Sequence, residues 1–252
     1  MKALYVAASG MAAQQTQLDT VAHNLANVST TGFKRSRSAF EDLLYQQVSS
    51  GGKGEILGQA EVGGGVRLAG IERDHDMGTL KQTGEPLHIA VNGSAWITLE
   101  DAQGNPAFTR DGTLMLDSEG TLRHVSGRAV YGDIQIPDDT ETLNIAADGT
   151  VTALVAGESR EIRLGTIELV TFNNDNGLRS LGGNAYAATE DSGLPVFDPE
   201  GSEIAQGFLE QSNVDVAEEL VSMIVAQRAY ELNSKVVQAA DETMSVAANL
   251  RR

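Results

Sequence analysis

Two heptad repeats, one at each end of the chain, constrain the fold more than any other feature. At the start, Leu4, Met11, Leu18 and Leu25 recur every seven residues, with Ala8, Gln15 and Ala22 between them. At the finish, Met223, Tyr230, Val237 and Met244 do the same, beside Ala226, Asn233, Ala240 and Ala247. A seven-residue apolar period marks a helix that lies along another helix. The spacing predicts helices over residues 3–28 and 213–250, each free of proline, with Gly10 the one strong breaker in the first. The first would be roughly 40 Å long. The stripes are narrow, and two such helices alone would be marginal. Packing many copies side by side would bury the alanine faces as well, an architecture for assembly more than for catalysis.

Charge follows the same division. Residues 1–40 carry four basic and one acidic side chain, residues 41–214 ten and twenty-eight, and residues 215–252 four and six. The middle therefore holds the acidity of a chain whose formal charge is −17, which argues against nucleic acid as a partner. The 252 residues suffice for a core without staples. The absence of cysteine removes disulfides and thiolate metal sites. No signal peptide and no membrane span is expected from the sequence: polar Gln14 and Gln15 interrupt the early alanines before any long apolar run.

Between the ends the pattern is strand-like. Leu87–Val91, Ala95–Leu99, Leu114–Leu116, Leu143–Ala146, Thr150–Val155 and Thr166–Phe172 are short β-prone runs. Asn92–Gly93, Asp111–Gly112, Glu119–Gly120, Asp148–Gly149 and Asn176–Gly177 separate them and are expected to supply positive φ at tight turns. A short amphipathic piece is expected over Ala39–Gln47, and a mobile or extended glycine-rich loop over 49–66. The fold class is therefore α+β, with paired N- and C-terminal helices forming a coiled-coil layer around an inserted all-β domain. The expected divisions are an N-terminal helix (1–30), a connector (31–75), a β-rich domain (76–190), a return connector (191–214) and a C-terminal helix (215–252).

Catalytic patterns are scarce. The four histidines are dispersed and form no HExxH pair, and neither a GxSxG elbow nor GxGxxG is present. Asp74–His75–Asp76 is the best metal-like cluster, but three consecutive residues rarely face one centre, so a solvated turn is the better reading. Asp138–Asp139 and Asp198–Glu200 read as charged loops in preference to acid/base pairs. No catalytic residue, cofactor or metal is assigned.

Residues 24–34, Asn-Leu-Ala-Asn-Val-Ser-Thr-Thr-Gly-Phe-Lys, resemble the N-terminal signature of the bacterial flagellar basal-body rod and hook family. Ala8-Ser9-Gly10-Met11 and Gln14-Gln15-Thr16 are similar to it too. Phe40–Gln46, Phe108–Gly112, Ser212–Val221 and Gln227–Lys235 resemble the distal-rod branch. The resemblance covers nearly the whole chain and departs mainly at 49–66. It implies a structural subunit, not an enzyme, that polymerises into a rigid helical tube. The tube would transmit motor torque across the periplasm and enclose the export channel. Implied partners are further copies of the chain, proximal-rod and hook proteins at the ends, the surrounding bushing rings and the flagellar type III export apparatus. The implied assembly interface comprises Leu4, Met11, Leu18, Leu25, Leu220, Met223, Tyr230, Val237 and Met244, and the family signature Asn24, Leu25, Ala26, Asn27, Gly32 and Phe33. Gly32 would allow a sharp turn and Phe33 would anchor it. The alternatives are a proximal-rod or hook subunit and, further off, a cell-wall-binding β-domain protein.

Overall fold

A computed structural model describes residues 2–44, 46–48, 60–101, 103–157, 160–197 and 201–249. The chain divides into two compact units. One gathers residues 1–26, 36–73 and 215–252, and the other residues 27–35 and 74–214. The two ends of the chain therefore share a unit, and the fold is α+β.

The first unit holds α1 (Lys2–Ala26) and α2 (Val216–Asn249), which lie against each other. Asp215 starts α2: its Oδ1 accepts from the backbone N–H groups of Ala217 (2.8 Å) and Glu218 (3.2 Å). Glu218 and Glu219 follow in the first turn, where the helix dipole favours them. Asn213 lies outside the helix and holds the backbone of Arg35, Asp74 and Asp76 within the second unit.

The connector contains more β structure than its composition suggests. Strand Ser36–Asp42 pairs antiparallel with Val66–Arg73, and Gln46–Val48 with Ala60–Val62. After a bulge at Ala39/Phe40 the register is constant: Phe40 opposes Leu68, Asp42 opposes Val66, Gln46 opposes Val62 and Val48 opposes Ala60. The two pairings are thus one ribbon, which α1 contacts along Ser36–Asp42 and Val66–Arg73. The amphipathic piece expected at Ala39–Gln47 belongs to this ribbon up to Asp42 and again from Gln46. Of the expected loop over 49–66, residues 49–59 lie outside the described residues. Residues 60–62 are strand, and Val66 opens another.

The second unit is built on a nine-stranded antiparallel sheet. Strand Trp96–Glu100 runs beside Pro106–Thr109 on one side and beside Ala129–Val130 and Leu169–Thr171 on the other. A three-stranded sheet, Thr140–Ile145, Thr150–Val155 and Ile162–Thr166, adds a second layer. Consecutive residues of the central strands enter different cores. Ile97, Ala107, Leu169 and Ala185 belong to the larger cluster, and their neighbours Trp96, Phe108, Val170 and Tyr186 to the smaller. Both faces of the sheet are covered, so these strands read as continuous apolar pairs and not as alternation.

Two of the five expected turn glycines work differently from the expectation. Gly93, Gly120 and Gly149 have positive φ, but Gly112 and Gly177 do not. At Gly112 a Cβ would stand 1.7 Å from the Ile89 carbonyl oxygen, and at Gly177 2.4 Å from the Ser192 nitrogen. Close backbone approach, not left-handed geometry, requires glycine at these two positions.

Candidate assembly interface

Helix α2 carries two apolar faces. The first meets α1 and is centred on Ala226, with Met223, Asn233, Val237 and Ala240 half-buried around it. Small residues let the helices come close. A Cβ on Gly10 would lie 2.9 Å from the Asn233 amide nitrogen. Glycine inside a helix costs about 1 kcal/mol relative to alanine. Here it admits the asparagine side chain.

The second face is exposed. Val221, Val225, Leu232, Val236 and Val246 are all open to solvent. At 3.6 residues per turn they fall within roughly 80° of one another, about 120° round the helix from the packed face. Tyr230 and Met244 from the expected heptad are exposed as well, as is Leu220.

On α1, Leu4, Met11, Leu18 and Leu25 are half-buried, while Ala8, Gln15 and Ala22 face solvent. The buried positions lie one residue earlier, at Ala7 and Val21, and continue round through Ala13, Thr20 and Asn24. The reason is that α1 has two neighbours, α2 and the ribbon. Its buried arc is accordingly wider than a heptad seam and is partly polar. Thr20 Oγ1 lies 2.8 Å from Ser38 Oγ, and Ser9 Oγ accepts from the Val66 N–H at 3.3 Å.

The signature residues take separate tasks. Asn24 acts as a one-residue strand partner: its Oδ1 accepts from the Ser36 N–H and its Nδ2 donates to the Ser36 carbonyl, both at 2.8 Å. A buried backbone amide and carbonyl are satisfied by one side chain. Leu25 is half-buried and Ala26 exposed. Asn27, in the second unit, accepts on its backbone carbonyl from the Thr30 N–H and on Oδ1 from the Thr30 hydroxyl. Gly32 has φ +65 and donates its N–H to the Glu210 carbonyl at 2.9 Å. Phe33 beside it is buried.

Lys34 ends the signature inside a buried charge cluster. Its Nζ donates to Glu210 Oε1 and to the Asp76 carbonyl, both at 2.7 Å. Glu210 Oε1 also accepts from the Gly78 N–H at 2.8 Å, and Arg110 Nη1 stands 3.5 Å from Glu210 Oε2. All three side chains are nearly inaccessible. Burial holds Lys34 and Arg110 below their ordinary pKa values, with Glu210 opposing that shift in each. The Arg110 guanidinium sits 5.5 Å over the Trp96 ring, whose Nε1 donates to Asp175. Burial raises the Asp175 pKa. His75 packs edge-on to Trp96 and Tyr186, at 5.3 and 5.8 Å. The Asp-His-Asp run thus puts its histidine against the aromatic core, and no group of potential metal ligands occurs among the described residues. Trp96 is fully buried and presents no surface for stacking on a sugar. Asp138 and Asp139 are exposed, and Asp198–Glu200 lies outside the described residues.

Residues 4–34 match the family described as flagella basal body rod protein, residues 90–153 the flagellar hook protein FlgE/F/G D1 domain, and residues 205–250 the flagellar basal body rod FlgEFG protein C-terminal. The chain is 41% identical to the flagellar basal-body rod protein FlgG of Buchnera aphidicola subsp. Acyrthosiphon pisum, over 98% of each chain. It is 40% identical to that of Agrobacterium fabrum, again over 98% of each. The chain belongs to the FlgG family of flagellar basal-body rod proteins. The Borreliella burgdorferi FlgG is 39% identical over 100% of this chain and 99% of its own. The first and third matches carry the terminal helices of this FlgG-family chain, and no described helix is long and apolar enough to cross a membrane. Members of this family are structural proteins, not enzymes.

Neither the outward face of α2 nor the Lys34–Glu210–Arg110 cluster figured among the sequence expectations. The outward face left one trace: Val225, Leu232 and Ala239 form a second heptad series, displaced by two residues from Met223, Tyr230 and Val237. The cluster left only a partial trace, with Lys34 closing the 24–34 signature and Arg110 inside the Phe108–Gly112 motif; their meeting with Glu210 is not local, since the members lie up to 176 positions apart. Replacing Gly32 by Ala should destabilise the second unit strongly. The left-handed backbone alone costs about 1–2 kcal/mol. The new Cβ would also stand 2.6 Å from the Asp111 nitrogen, which is backbone and cannot swing aside. A lowered urea midpoint with an unchanged slope is the expected result.

Proposed function

We propose that the chain is a structural subunit of the flagellar distal rod and polymerises head-to-tail into a rigid helical tube. The observation that carries this reading is the pair of apolar faces on α2. One is occupied by α1 and the other is presented to solvent along Val221–Val246. A helix with a single intramolecular partner needs one such face. A second face serves a neighbouring copy. A heterologous contact with a non-closing rotation then builds a filament and not a ring. In the tube the terminal helices form the coiled-coil inner layer around the export channel. Leu4, Met11, Leu18, Leu25, Leu220, Met223, Tyr230, Val237 and Met244 pack within and between subunits. Each is half-buried or exposed in the single chain, so burial is left to be gained on assembly.

The rod crosses the periplasm and transmits torque. Its ends meet proximal-rod and hook proteins, its sides meet the bushing rings, and its subunits arrive through the type III export apparatus. Amide hydrogen exchange on the dilute chain and on the polymer tests the reading. Residues 2–26 and 216–249 are expected to exchange fast in the dilute chain and to gain protection in the polymer, while 89–210 stays protected in both. Equal protection of the helices in both states would mean a self-contained domain and would overturn it.

A further inference from the structure

The second unit holds an apolar projection that the described residues leave uncovered. Leu194 is 85% exposed, and Val196 and Phe197 are exposed beside the half-buried Pro195. Single exposed apolar residues are ordinary, but three exposed in a stretch of four are not, unless they are used.

The run is held rigidly. Ser192, fully buried, accepts from the Thr189 N–H at 2.9 Å and donates to the Thr189 carbonyl at 2.9 Å. Asn174 Nδ2 donates to the Asp191 carbonyl at 3.1 Å, and Thr189 Oγ1 donates to the Gly177 carbonyl at 2.6 Å. The backbones of Gly177 and Asp191–Ser192 are so close that no Cβ fits between them. Gly193 turns at φ +77, Pro195 stiffens the next link, and Val196–Phe197 pairs as a short strand with Val170–Thr171. The tip is therefore pre-ordered, and little conformational entropy remains to be lost on docking.

The same unit carries a hollow of matching chemistry. An open pocket of about 350 Å³ is lined by Pro86, Leu87, Leu116, Ile136, Pro137 and Leu143, together with Asp117, Asp138 and Glu141. A cavity of about 150 Å³ already holds benzene, so a leucine side chain and a proline ring fit here. A second pocket, of about 570 Å³, is lined by Phe197 of the projection itself together with Asp148, Arg163 and Glu168, so it adjoins the projection and is not the hollow that receives it.

We propose that the tip of this projection, Leu194 with Pro195, inserts into the Leu87–Leu116–Leu143 hollow of the next copy, forming the contact between β-rich units in the polymer. This rests on the rod-subunit reading above. An open polymer needs two unlike, complementary patches on each chain, and the projection and the hollow are such a pair. A chain of charge −17 also repels its own copies, so a self-contact in its acidic unit must be apolar where it is closest.

The test uses the absence of native cysteine. The full-length Leu194→Cys/Leu116→Cys chain is polymerised, checked by electron microscopy, and treated with a short bifunctional thiol reagent. A ladder of covalent multimers is expected from the double variant and only monomer from either single variant. Leu194→Glu is expected to raise the polymerisation threshold about tenfold, equivalent to about 1.4 kcal/mol per contact, with unchanged thermal melting. Polymer without a ladder would overturn the contact. So would dimers from Leu194→Cys alone, or linkage of the Leu194→Cys thiol to a different protein in isolated basal bodies. Failure of the wild-type chain to polymerise at all would overturn the rod reading itself, and electron microscopy registers that before any cross-linking.

Discussion

Replacing Glu210 by Ala is expected to leave the second unit largely unfolded at physiological temperature. Glu210 is the only carboxylate joined to both Lys34 and Arg110 among the described ion pairs, and its Oε1 also receives the Gly78 N–H. Removing it strands two buried cations and one buried amide. Breaking a buried pair from one side costs about 3–5 kcal/mol, against a total stability of about 5–15 kcal/mol for a domain. Glu210→Gln keeps an acceptor oxygen for Lys34 and Gly78 but loses the charge, so its effect should be smaller. Lys34→Met added to Glu210→Ala should recover part of the loss, because one stranded charge goes with it. The single Trp is a convenient reporter: Trp96 is fully buried, with the Tyr186 ring at 5.1 Å and the Arg110 guanidinium at 5.5 Å. Its emission should shift to the red in the first variant and recover partly in the double variant. A melting curve for Glu210→Ala within a few degrees of wild type would mean that Lys34 and Arg110 find water or other partners, and would sink the argument.

Val225→Asp should stop polymerisation while leaving the single chain intact. Val225 is 62% exposed, so the charge is solvated in the free chain and the melting transition should move by no more than about 0.5 kcal/mol. In the polymer the same carboxylate would be buried on the outward face of α2 without a partner, at a cost of several kcal/mol per subunit. That raises the assembly threshold more than about a hundredfold, read by sedimentation and as loss of motility in complemented cells. Ala226→Asp, one residue away, is the control. Ala226 is buried against α1, so this change should loosen the helix pair in the free chain as well. Normal rods built from Val225→Asp subunits would show that the outward face of α2 is not a subunit contact.

Both expectations rest on features that the sequence exposed unequally. The helices were legible because apolar spacing and the lack of Gly and Pro after residue 207 are local properties. Leu114–Leu116 and Thr150–Val155 were legible as strands to the residue, each adjoining a glycine turn. The ribbon over 36–44, 46–48 and 60–73 was not, since its pairing joins residues separated by glycine-rich chain with no apolar alternation of its own. Gly112 was marked as a positive-φ turn residue, but the structure shows neither a turn nor a positive φ there. Its constraint is the Ile89 carbonyl, twenty-three positions away in sequence.

The sequence by itself determined the α+β class, the helical ends, the acidic β-rich middle and the family, because period, turn chemistry and motif are written in neighbouring residues. Only the tertiary structure decided which side of each helix is occupied. The two neighbours of α1 widen its buried arc to Ala7, Ala13 and Val21, and the close fit at Gly10 and Asn233 turns Ala226 inward. That leaves Val221–Val246 outside, and a helical period alone cannot choose between two apolar stripes on one helix. The structure likewise brought Lys34, Arg110 and Glu210 together, since a buried ion pair is made by chain segments that meet only when the β-rich unit has folded.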